Sequence, residues 1–238
     1  MAITMAEEKN MVMNEVIERM FKAGAHFGLT KSRRHPSTKP LIFGAKNKVE
    51  IFDLEKTKDY LAKAQEFVRS ISKNNGMILF VGGKKEAQTA VEKAANDISM
   101  PFVAGRWIGG TFTNFPQIRK RVERLEMLTM QREKGELSKY TKKERLLIDR
   151  EIDNLNRFFS GIIPMKEMPK ALFIIDSKRE HIAVTEAQKA GIPVIALCGT
   201  DCNIKDVEYP VPGNDSSISS ITFFLSEITK AYKEGRKA

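Results

Sequence analysis

Apolar positions in this chain follow two patterns that alternate along it. Some runs are short and unbroken: Met77 to Val81 (MILFV), Ala171 to Ile175 (ALFII) and Ile192 to Leu197 (IPVIAL). Others recur three and four residues apart, as at Leu54, Tyr60 and Leu61, Ala64, Phe67 and Val68, and Ile71. An unbroken run predicts a strand covered on both faces, and the longer spacing predicts a helix with one buried stripe. After the first strand, GGKK makes a turn, Glu86 to Asp97 a helix, and MPFVAG (residues 100 to 105) a second strand. The order repeats from Ala171 through the helical HIAVTEAQKAG to Ile192–Leu197. Near the end, Ile218, Ile221, Phe224 and Leu225, and Ile228 return to helical spacing. Strands without alternation, separated by helices, predict an α/β fold with a parallel sheet covered on both faces.

The flanking segments are read the same way. Val12, Val16, Ile17 and Met20 place a short amphipathic helix over residues 12 to 22, ended at Gly24. Gly24 to Gly44, with Pro36 and Pro40, reads as loop; Val49 and Ile51 then alternate with Glu50, and Asp53 stands as N-cap of the helix that Asn74-Asn75-Gly76 ends. Residues 114 to 161 differ, holding only Pro116 and Gly135 as breakers before the closing glycine. Ile118, Val122 and Leu125, then Ile148, Ile152, Leu155 and Phe159, form two narrow stripes. The expectation is an antiparallel two-helix hairpin joined near Gly135 and protruding from a globular body of residues 1–113 and 162–238.

Charge changes the picture. Among 238 residues, 40 Lys and Arg stand against 30 Asp and Glu, a formal +10 at pH 7, which favours a polyanionic partner. The excess is uneven: Arg19 to Val49 holds eight basic residues and no acid, and Ile98 to Val122 holds four more, again with no acid, interleaved with Trp107, Phe112 and Phe115. Phosphate contacts from these stretches would release counterions and make binding salt-dependent; the competing reading is a solvated surface. The longest apolar run falls far short of the ~18 residues of a membrane span. No basic n-region precedes an apolar stretch in the first 15 residues, and two cysteines, Cys198 and Cys202, fit reduced thiols in a cytoplasm.

Catalytic chemistry is thin. Gly82-Gly83-Lys84-Lys85 leaves a strand for a helix, where backbone amides could cradle a phosphate, but it has neither the dinucleotide nor the P-loop spacing. Asp176 fits a ribose or metal ligand and equally an N-cap. His26, His35 and His181 have no nucleophile or metal partner at a recognised spacing; His26 reads as a core or RNA-facing side chain. Cys198 and Cys202 offer half a metal site at most. No catalytic residue, cofactor or metal is assigned. The alternative is a nucleotide-binding enzyme with Gly82, Gly83 and Lys84 at the phosphate, and a third reading makes the hairpin a protein-docking arm.

AGAHFG (23–28), KPLIFGAKNKVEIFDLEKT (39–57), ILFVGGKKEAQ (78–88), GRWIGGTFTNF (105–115), LSKYTKKE (137–144), ALFIIDSKREHIAVTEAQKAGIPVIAL (171–197) and YPVPGNDSSISSI (209–221) resemble, in order and spacing, the bacterial form of the second protein of the small ribosomal subunit. The resemblance implies a non-enzymatic, cytoplasmic ribosomal protein with a flavodoxin-like, doubly wound body and a helical hairpin. It implies binding to 16S-type ribosomal RNA, late subunit assembly, contact with other small-subunit proteins, and docking of the large first-numbered protein that recruits messenger RNA. Carried onto this chain, the RNA-contacting residues are Arg33, Arg34, Lys39, Lys84, Lys85, Arg106, Trp107, Arg119, Lys120, Arg121, Lys142 and Lys143. Trp107 and Phe112 would pack or stack. Some relatives resemble zinc binders through a second His after HFG and through Asp residues where this chain has Leu29, Gly199 and Ser216. Only Asp215 of that set remains, so no zinc is expected by that route.

Overall fold

The structure, a computed structural model, describes residues 15–237. Residues 15–22 form α1; the Val12 end of the expected helix lies outside the described residues. Five strands make a parallel sheet: β4 (Ile78–Val81), β5 (Phe102–Val103), β6 (Ala171–Ile175), β7 (Val194–Cys198) and β8 (Tyr209–Pro212). Their spatial order is β5-β4-β6-β7-β8, with Phe80 opposite both Phe102 and Phe173, and Ile174 opposite Ala196. Counted within the sheet this is the order 2-1-3-4-5 of the flavodoxin-like class.

Period-2 alternation sorts each central strand onto two cores. Ile78, Phe80, Ala171, Phe173, Ile195 and Leu197 face one core, closed by α1, α2 (Leu54–Lys73), α3 (Lys85–Asp97) and α7 (Ile218–Lys237). Leu79, Val81, Leu172, Ile174, Val194 and Ala196 face the other, covered by α6 (His181–Ala190) and by the helix pair α4 (Phe115–Glu133) and α5 (Lys142–Phe159). Both faces of every central strand are therefore dry, which is why these strands read as unbroken apolar runs.

Local signals place the helix ends. Asp53 Oδ1 accepts from the backbone N–H of Glu55 at 3.1 Å and caps α2. Between α4 and α5 the chain turns at Gly135, whose φ of +71° suits a residue without Cβ, and passes a 3-10 turn (Glu136–Lys139). Thr141 and Glu144 then form a reciprocal capping box at the start of α5. Ile118, Val122, Leu125 and Leu128 of α4 and Ile152, Leu155 and Phe159 of α5 belong to the second core of the sheet, so the inner halves of these helices are seated on the body.

Some elements differ from expectation. The loop read over Gly24–Gly44 contains β1 (Phe27–Thr30) and the start of β2 (Ile42–Lys46), which flank β3 (Val49–Phe52) in a small antiparallel sheet. β1 is recruited by long-range pairing, Phe27 opposite Ile51, which no local pattern announces. Asn47 and Lys48, both at positive φ, make the tight turn joining β2 to β3. The strand expected over residues 100–105 shrinks to Phe102–Val103, and β8 sits unheralded at the sheet edge, where Pro210 and Pro212 are tolerated.

Candidate nucleic-acid interface

In a doubly wound sheet, ligands bind outside the carboxyl ends of the strands, where the strand order reverses. Here that point lies between β4 and β6, and the chain's own side chains fill it. Lys84, just beyond β4, places its Nζ 2.8 Å from Asp176 Oδ2 and 2.9 Å from Asp215 Oδ2. Burial alone would lower the Lys84 pKa, but the charge of Asp215 and the bonds to both carboxylates outweigh it and raise it. Asp176, at φ +67°, also accepts from the backbone N–H groups of Lys178 and Arg179 at 3.1 and 3.0 Å, so it closes the turn ahead of α6 and is not the N-cap of that helix, a place taken by Glu180. A Cβ on Gly83 would collide with the Glu180 carboxylate and come within 2.9 Å of the Gly105 carbonyl oxygen. No phosphate cradle is left here, and Lys84 is not available to an external anion.

The same network bears on metal. Donor atoms of Asp176, Cys202 and Asp215 lie within 4.8 Å of one another, but the Lys84 ammonium already bridges the two carboxylates. Leu29, Gly199, Asp215 and Ser216 line one 280 Å³ pocket, in which Asp215 is the only ionisable side chain among the described residues. A Cβ at Gly199 would stand 2.9 Å from both Asp215 carboxylate oxygens, so an Asp is not accommodated there without movement. These residues do not fit zinc. Cys198 and Cys202 are fully buried, and the bond to Cys202, together with burial, pushes the Cys198 thiol well up, away from the thiolate a metal requires.

The basic residues singled out from the sequence fall into two groups. Arg33, Lys39, Lys85, Arg106, Lys120, Arg121, Lys142 and Lys143 are exposed and make no ion pair among the described residues. The others are committed inward. Arg34 bonds the buried Glu50 at 2.7 Å. Arg119 donates to the Ile163 carbonyl at 3.2 Å and lies beside Glu123 and Glu126. Trp107, expected to pack or stack, is 5% exposed, set edge-on against Phe112 at 5.2 Å, with its Nε1 donating to Glu186 at 3.5 Å. It packs, and it has no free face for a base.

Glu186 was invisible to motif reading. Buried on α6, it accepts from the backbone N–H groups of Gly110 (2.7 Å), Phe112 (3.0 Å) and Thr113 (3.4 Å). This clasp fixes the loop that carries Arg106 to α4. Lys178 and His181, neither singled out as RNA-facing from the sequence, share a 460 Å³ cleft with Arg33 and Arg34; Lys178 is paired there with Asp201 at 3.0 Å. His26 lies between Phe21 (stacked, 4.4 Å) and Phe27, its Nδ1 without a partner among the described residues, and burial lowers its pKa.

The family model described as "Ribosomal protein S2" matches residues 20–235. The small ribosomal subunit protein uS2 of a Nitratiruptor species is 43% identical over 92% of this chain and 82% of its own length. That of Bdellovibrio bacteriovorus is 42% identical over 93% and 71%, and that of Corynebacterium urealyticum 43% over 93% and 83%.

Proposed function

The chain belongs to the ribosomal protein S2 family, and from that premise we propose that it is a non-enzymatic constituent of the small ribosomal subunit that binds 16S-type ribosomal RNA in the cytoplasm. The observation that carries the RNA reading is the set of exposed cations with no ion pair among the described residues: Arg33, Lys39, Lys85, Arg106, Lys120, Arg121, Lys142 and Lys143. Surface cations without counter-charges suit phosphates, which position a protein on RNA without reading its sequence. The filled crevice between β4 and β6 speaks against the nucleotide-enzyme alternative.

On the same reading, residues 114–161 act as an arm on a body of residues 1–113 and 162–238. Exposed Met130, Leu146 and Leu147 near its turn support a contact role for the arm. The role extends to late subunit assembly, to contacts with neighbouring subunit proteins and to docking of the large first-numbered protein that recruits messenger RNA. Sucrose-gradient fractionation of native lysate tests the core of the proposal. The chain should sediment with the small subunit and move to the top of the gradient at high salt; residence at the top under both conditions would remove the ribosomal role.

A further inference from the structure

We propose that Arg106 and Arg157 form a two-armed fork that grips a single backbone phosphate of the small-subunit RNA. The inference rests on the ribosomal reading above and names a contact within it. Arg106 follows β5, and Arg157 lies in the last turn of α5. The fold brings them to one cleft of 180 Å³, which Asn156, Ser160 and Gly105 also line. Gly161 makes the approach possible: a Cβ there would collide with the Phe102 carbonyl oxygen and lie 2.8 Å from the Phe102 ring, so only glycine lets the end of α5 press against β5.

Both guanidinium groups are exposed and unpaired among the described residues, whereas their neighbours are engaged, Arg119 with Glu123 and Glu126, and Arg124 with Glu151. Arg157 is also steered, its guanidinium lying 5.6 Å from the Phe158 ring centroid. Among the described residues Glu92 is the one acid lining the cleft, which leaves an excess of positive charge. The volume is too small for a nucleotide-sized ligand, whose sites run ~300–1,000 Å³, yet it admits a tetrahedral phosphate. Planar guanidinium groups bind phosphate oxygens bidentately, and the open space over Gly105, where an added Cβ meets nothing within 4 Å, leaves room for the backbone that carries the phosphate. The acid-free run from Ile98 to Val122 favours RNA over an acidic protein side chain.

The test uses the full chain and small subunits stripped of this protein by high-salt washing, with the association constant measured across a KCl series. Arg106→Ala and Arg157→Ala should each weaken rebinding about tenfold. The double variant should lose clearly less than the ~hundredfold product, because one phosphate is shared. Its log–log salt slope should fall by about 1. Arg157→Lys, which keeps the charge and loses the fork, should fall between wild type and Arg157→Ala. Wild-type affinity in Arg157→Ala overturns the fork, as does a multiplicative double variant whose slope falls by about 2, which means two separate phosphates. A loss with unchanged slope assigns the cleft to a protein neighbour and overturns it too. If the wild-type chain itself fails to rebind, the ribosomal reading falls and takes the fork with it, whereas normal wild-type rebinding confines any failure to the fork.

Discussion

Two adjacent lysines show what decides the role of a charge. Lys84 and Lys85 are indistinguishable in the string GGKKE, but Lys84 points into two carboxylates with its side chain 13% exposed, while Lys85 is exposed and makes no ion pair among the described residues. Replacing Lys84 with Met leaves Asp176 and Asp215 facing each other without a cation and should cost about 3–5 kcal/mol in urea unfolding. Lys85→Met should stay within ~0.5 kcal/mol of wild type in the same experiment and instead weaken association with the small subunit. His26 offers a second residue-level check through pH. Its folded pKa lies below the ordinary 6.5, so as pH falls through that value the unfolded chain takes up a proton that the folded chain refuses, and stability declines toward the folded pKa. Phe at position 26 should flatten this acid-side slope of unfolding free energy against pH; an unchanged slope would assign it to other groups. Residue type sets the chemistry of these side chains, but burial and partners set their roles, and for Lys84 the second partner, Asp215, comes from 131 positions along the chain.

Elements divide by the range of the interactions that form them. Helices α2 to α7 and strands β4, β6 and β7 were legible because their apolar period is local and both sheet faces are buried. β1, β2 and β8 were not, since short strands at sheet edges owe their existence to the partner they pair with. The loop from Trp107 to Asn114 was legible as a motif and opaque as a mechanism, because the carboxylate that holds it arrives from α6. Glu186→Gln turns an acceptor into a group that also points N–H toward backbone N–H, and should destabilise the chain by about 1–3 kcal/mol. Hydrogen exchange should localise the effect: faster exchange at Gly110, Phe112 and Thr113 and at the first turn of α4, with β6 and β7 unchanged. A uniform rise across the sheet would mean that Glu186 supports the core in general and not this loop. At the start of α5, Thr141→Ala removes the capping box and should cost about 1 kcal/mol, read as a lower urea midpoint.

At the scale of the whole molecule, the sheet order and its two dry faces set the strand ends at which a doubly wound fold normally takes its ligand, and here the chain has closed that site with its own ion network. The proposed function is thereby displaced onto the surface, where it would rest on summed charge. Acid-free stretches are visible in a sequence, so the location of the positive field was legible; the separation of free cations from paired ones was not, because Arg34 meets Glu50 only through the small antiparallel sheet, and the local i,i+4 pair of Arg119 with Glu123 on α4 lies just past the acid-free stretch. This separation makes a quantitative expectation. Replacing Arg33, Lys39, Lys120 and Lys142 together by Ala removes four exposed cations that make no ion pair among the described residues and leaves every core contact in place, so the unfolding midpoint should hold. The salt slope of small-subunit association should then fall by about 0.9 for each of the four that contacts a phosphate. Lys233→Ala is the control, since that lysine is already paired with Asp97 at 2.6 Å on the far end of α7. A slope reduced in the quadruple variant and untouched in the control locates the RNA face on the segment between β1 and β2 and on the α4/α5 pair, whereas equal slopes in both would move it elsewhere on the molecule.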